Sequence, residues 1–73
     1  MTSLSERLNK IITEQNISKP DFAKRIGVTK NYIFILTGKN PKKTNISQSL
    51  AKLIAIEFGY NEEWIMSGEG EER

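Results

Sequence analysis

Residues 19–36, KPDFAKRIGVTKNYIFIL, constrain this chain more than any other stretch of it. Phe22, Ala23, Ile26, Gly27, Val28, Ile33 and Leu36 stand at the spacing that two short helices need to cross around a tight bend. Ala23 is the small residue where the two helices would touch. Gly27 is free to take the left-handed conformation that ends the first of them. Phe22, Ile26, Val28, Ile33 and Leu36 form the apolar set that both helices would bury. The pattern predicts a helix-turn-helix.

The flanking segments also read as helices, five in all, with no convincing strand. Ser3-x-x-Glu6 is a capping box, and Leu4, Leu8, Ile11 and Ile12 follow as an apolar stripe. That first helix should stop near Gln15 and Asn16. Ser18 opens the second, with Pro20 in the first turn, where its missing N–H costs nothing, and Asp21 at the capping position. Thr29 opens the third, which ends at Gly38. Residues 38–45, GKNPKKTN, form a polar loop. The fourth helix starts near Ser47, buries Ile46, Leu50, Leu53, Ile54 and Phe58, and stops at Gly59. Asn61 caps a short fifth helix, with Glu62 and Glu63 at its positive end and Trp64 and Ile65 docked on the body. The tail from Gly68 to Arg73 has nothing apolar to bury and is expected to be mobile.

Composition removes whole classes of function. At 73 residues the chain is one domain, and it has no Cys and no His. Thiolate and imidazole metal ligands are therefore absent, as is the usual general base. There is no Gly-rich phosphate loop and no evident pair of acids in a pocket, so an enzyme is not expected, nor is a cofactor, a metal or a small-molecule ligand. No apolar run is long enough for a membrane span, and residues 1–6 have neither the basic nor the apolar region of a signal peptide. A soluble cytoplasmic protein is expected. Charge is distributed unevenly. Residues 1–44 carry nine Lys/Arg against three Asp/Glu, a net +6, while residues 45–73 carry two against six, a net −4. A basic half joined to an acidic half suits a protein that offers one face to a polyanion.

Two segments resemble the Cro/CI-type (XRE) helix-turn-helix regulators. Residues 22–29, FAKRIGVT, are similar to that family's LAxxlGvs. Residues 64–70, WIMSGEG, are similar to the WLLtGEG that closes the DNA-binding domain in many repressors of phages and integrated mobile elements. The resemblance spans residues 8–70. It implies an all-α, compact five-helix, lambda-repressor-like DNA-binding domain over residues 1–68, with a flexible acidic tail at 69–73. It also implies sequence-specific binding of double-stranded DNA by a transcriptional regulator, a repressor of phage or mobile-element type in the bacterial cytoplasm or nucleoid. The second helix of the motif, about residues 29–37, would enter the major groove. Such a protein would act as a homodimer on a pseudo-palindromic operator. The chain departs from the pattern at Lys19, where the family often has Gln, and after Leu36, where the helix is about one residue short. It also carries Phe34 and Ile35 where polar residues are usual.

At about 100° per residue, Ile33 and Leu36 face inward together, and Asn31, Phe34 and Ile35 face out. Lys30 and Tyr32 flank them. Asn31 is able to exchange two hydrogen bonds with adenine, and Lys30 to donate to guanine or to a phosphate. Phe34 and Ile35 match thymine methyl groups. Lys30, Asn31, Phe34 and Ile35 are thus the candidate base contacts. Ser18 and Lys19 at one helix N-terminus and Thr29 at the next suit phosphates. Tyr32, Lys39, Asn40, Lys42, Lys43 and Thr44 extend that phosphate-contacting set. A second reading keeps the fold and turns Phe34 and Ile35 toward a protein, as in an antitoxin or antirepressor.

Overall fold

The computed structural model describes residues 2–39 and 45–73. Among them are five α-helices and no strand: α1 (Leu4–Gln15), α2 (Lys19–Ile26), α3 (Lys30–Thr37), α4 (Gln48–Phe58) and α5 (Glu62–Ser67). Each helix begins at a side chain that accepts a hydrogen bond from its own first turn. Ser3 accepts from the Glu6 amide at 3.1 Å, Ser18 from Asp21 at 3.2 Å, Thr29 from Tyr32 at 3.2 Å, Ser47 from Leu50 at 3.2 Å and Asn61 from Glu63 at 3.1 Å. A cap of this kind is worth about 0.5–2 kcal/mol, a large share of what holds an eight-residue helix.

Leu8, Ile11, Phe22, Ile33, Leu36, Ile54 and Ile65 are the large side chains fully withdrawn from solvent. They come from all five helices, so one core serves the whole domain. Phe22 of α2 stacks on Phe58 of α4, ring centres 5.1 Å apart. Tyr60 stacks on Trp64 at 6.0 Å, and Trp64 is buried, so it anchors α5 to the body as expected. Ala23 is buried on α2, which packs against α3. Gly27 has φ +77°, and the Val28 amide reaches back to the Ala23 carbonyl at 3.0 Å, which closes α2 as a left-handed cap.

One expectation changes. Leu53 is 51% exposed, and Ala51 fills the inward position on α4 instead. Apolar residues run around most of α4, so periodicity does not fix its rotation; the Phe22–Phe58 stack does. The tail buries no apolar side chain, and it makes polar contacts with the body. The Asn61 amide donates to the Glu72 carbonyl at 2.9 Å, and Asn61 Nδ2 donates to the Glu71 carbonyl at 2.8 Å. Lys10 pairs with Glu72, and Arg73 lies over the Tyr60 ring at 4.5 Å.

Among the described residues Arg7 is the charged side chain that is buried, 5% exposed on α1. Its Nε donates to the Ile65 carbonyl at 3.1 Å, Nη2 to the Met66 carbonyl at 3.3 Å, and Nη1 to the Thr2 carbonyl. A guanidinium thus occupies the C-terminal end of α5, where free carbonyls and the helix dipole favour a cation. Gly68 follows at φ +80°, and a Cβ there would stand 2.8 Å from Arg7 Nη1. Both its conformation and its neighbour demand glycine, which gives a physical reason for the first glycine in WIMSGEG.

Candidate nucleic-acid interface

The candidate site is built on α3. Its inner face is Ile33, Leu36 and Thr37, all buried, with the Thr37 hydroxyl donating to the Ile33 carbonyl at 2.7 Å. Its outer face carries Lys30, Asn31, Phe34 and Ile35, all exposed. Phe34 is 46% and Ile35 44% accessible, so two large apolar side chains stand in solvent beside an amide and an ammonium. Tyr32 is half-buried at the edge and packs against the core.

Lys19 comes across from α2, its Nζ 5.7 Å from the centre of the Phe34 ring. The contact links the first turn of α2 to the outer face of α3 and sets a positive charge beside that ring. Ser18 and Thr29 are exposed at the N-termini of α2 and α3. Each hydroxyl oxygen already accepts an amide, and each keeps its own proton free to donate to an anion. Free backbone amides in the same first turns add to that preference. Lys39, two residues beyond α3, is exposed. Asn40, Lys42, Lys43 and Thr44 lie outside the described residues.

What holds α3 at its far end was not legible in advance. Gly38 has φ −73° and does not form a left-handed cap. Instead, α1 supplies the donors. Asn9 Nδ2 donates to the Thr37 carbonyl at 3.0 Å, and Ser5 Oγ donates to the Gly38 carbonyl at 3.1 Å. Asn9 also donates to the Ser5 carbonyl at 2.9 Å, which fixes its own rotamer. Ser5 and Asn9 are positioning residues. Their signal in the sequence is two small polar residues four apart beside an apolar stripe, but nothing local names their partners.

Away from α3, Glu14, Tyr60, Lys10, Glu72 and Arg73 form a polar network. The Tyr60 hydroxyl donates to Glu14, and Arg73 approaches Glu14 at 3.7 Å. That hydroxyl, first among several causes, holds the Glu14 carboxyl below its ordinary range, while burial above all raises the Tyr60 phenol. Among the described residues no cluster of His, Cys, Asp or Glu is arranged to hold a metal, and no helix is long and apolar enough to cross a membrane. Neither a family model, nor a curated protein, nor a solved structure matches this chain.

Proposed function

We propose that this chain binds double-stranded DNA sequence-specifically, as a Cro/CI-type helix-turn-helix regulator of lambda-repressor-like architecture. In this reading it is a repressor of phage or mobile-element type acting in the bacterial cytoplasm or nucleoid. One observation carries the proposal: the outward residues Lys30, Asn31, Phe34 and Ile35 are exposed on a short helix capped by its own Thr29 at the start and held by Asn9 and Ser5 of α1 at the end. Major-groove reading needs such an element, a rigid rod with a free side. Asn31 reads adenine, Lys30 reads guanine or a phosphate, and Phe34 and Ile35 pack on thymine methyls. Ser18, Lys19, Thr29, Tyr32 and Lys39 hold phosphates and set the register without reading sequence. The basic N-terminal half supplies the attraction.

The functional unit is a homodimer on a pseudo-palindrome, with half-sites about one helical turn apart. Selection of bound fragments from a random duplex pool tests this directly. The expected product is a two-fold motif whose affinity falls as salt rises, from release of counterions at the phosphates. Failure to retain any duplex at low salt refutes it. The exposed Phe34–Ile35 pair also favours a second reading, a protein-binding module of the same fold, such as an antitoxin or antirepressor. That reading gains if no duplex is bound and if Phe34→Ser abolishes capture of a defined protein partner.

A further inference from the structure

Leu53 is turned out of the core, and Ile56, one turn on, is 72% accessible. Residues three apart share a helix face, so the two side chains form one apolar stripe along α4, with exposed Ser49 a turn before them. The opposite face of α4, with Leu50, Ala51, Ile54 and Phe58, is buried. Lys52 and Glu57 are exposed and border the stripe, one on each side, and among the described residues neither forms an ion pair.

We propose that this face docks a second copy of the chain, the two α4 helices running parallel about a two-fold axis. The charges on its flanks select both occupant and direction. Written as a heptad with Leu53 at a and Ile56 at d, Lys52 falls at g and Glu57 at e. In a parallel pair, g of one helix faces e of the other five residues on. Lys52 then meets the partner's Glu57, and symmetry makes the same pair on the other side. An antiparallel pair instead sets lysine against lysine and glutamate against glutamate. A partner with flanks of a single sign matches one flank and repels the other. The surface is thus complementary to itself in one orientation.

Two apolar side chains per copy fall well short of the roughly 800 Å² that a standard interface buries on each partner, so the pair is weak and concentration-dependent. It uses no residue of α3, and the outer face of that helix stays open. The dimer extends the DNA-binding reading but does not rest on it, because its test contains no DNA.

The test is sedimentation equilibrium of the full chain at low salt, from about 10 μM to about 1 mM, a range suited to an association of micromolar to millimolar strength. The wild-type mass should rise toward that of a dimer. Ile56→Asp should stay monomeric throughout, with its far-UV circular dichroism and melting temperature unchanged. Lys52→Glu should weaken association about tenfold, since it turns two attractive pairs into two repulsions. Adding Glu57→Lys to the same chain should restore it. A wild-type mass that stays monomeric overturns the proposal. So does Lys52→Glu associating as strongly as wild type, the result an antiparallel pair would give.

Discussion

Replacing Arg7 with Met tests how much of this small domain depends on one buried cation. Arg7 is almost wholly enclosed and makes three hydrogen bonds to backbone carbonyls, at Thr2, Ile65 and Met66. Each bond to a charged group contributes about 1.5–3 kcal/mol. Against that stands the desolvation of the guanidinium, several kcal/mol, which methionine recovers. Burial lowers the Arg7 pKa, while neighbouring Glu6 raises it, the signature of a charge enclosed at a cost. The difference leaves Arg7→Met about 2–4 kcal/mol less stable than wild type. For a domain of this size that is a fall in melting temperature of roughly 10–25 °C. Thermal and urea denaturation followed by circular dichroism measure it. Arg7→Lys keeps the charge but loses the planar fork, and should recover less than half of the loss. The deficit should persist in high salt, because an enclosed contact is poorly screened. A loss under about 1 kcal/mol would refute the reasoning, since the α5 carbonyls would then have found other partners.

Three other changes follow from the same geometry. Asn9→Ala should cost about 1 kcal/mol of stability by removing the donor to Thr37, and should weaken specific DNA binding more than it weakens binding to random duplex, read by melting and by titration of labelled duplexes. Asn31→Ala should leave the melting temperature unchanged and lower affinity for the selected site by about 1–3 kcal/mol while sparing random DNA; equal losses on both would remove Asn31 from base reading. Glu14 should give the domain an acid limit. Its folded pKa lies below the ordinary 4.5, so the unfolded chain takes up the proton first; the contribution is complete above that value and is lost as pH falls through the lowered folded value. Tyr60→Phe removes the principal cause of the shift, so the Glu14 titration followed by NMR should move back toward the ordinary value.

Most of the helices were legible because each is marked at both ends by chemistry that acts locally. Ser18 and Gly27 bracket α2 by a hydroxyl and a free φ, and neither needs the rest of the molecule to be understood. The outward set on α3 was legible for a related reason: Ile33 and Leu36 fix the helix rotation, and the exposed residues follow by geometry. Leu53 was misplaced because α4 has apolar residues on most sides, so two rotations are about equally hydrophobic; a contact distant in sequence, Phe22 on Phe58, decides between them. The docking of the tail was not legible at all. Two of its contacts are to the backbone carbonyls of Glu71 and Glu72, which every residue possesses and no composition reveals.

The helix that governs the candidate interface is therefore one that does not face it. Around α1, Leu4, Leu8, Ile11 and Ile12 form the buried stripe, Arg7 lies on one edge of it, and Ser5 and Asn9 lie on the other. The two edges grip the C-terminal ends of two different helices, α5 through Arg7 and α3 through Ser5 and Asn9. Neither gripped helix is long enough to hold its shape alone, and α3 also lacks the left-handed cap that closes the others. The angle at which α3 presents Asn31 and Phe34 is thus set by side chains on α1. A rigid reader needs its supports on fixed elements, because a tilt of the rod displaces every side chain along it. Substitutions at Ser5 and Asn9 consequently belong with those at Lys30 and Asn31 when the proposed DNA binding is tested, although the first two sit on another helix.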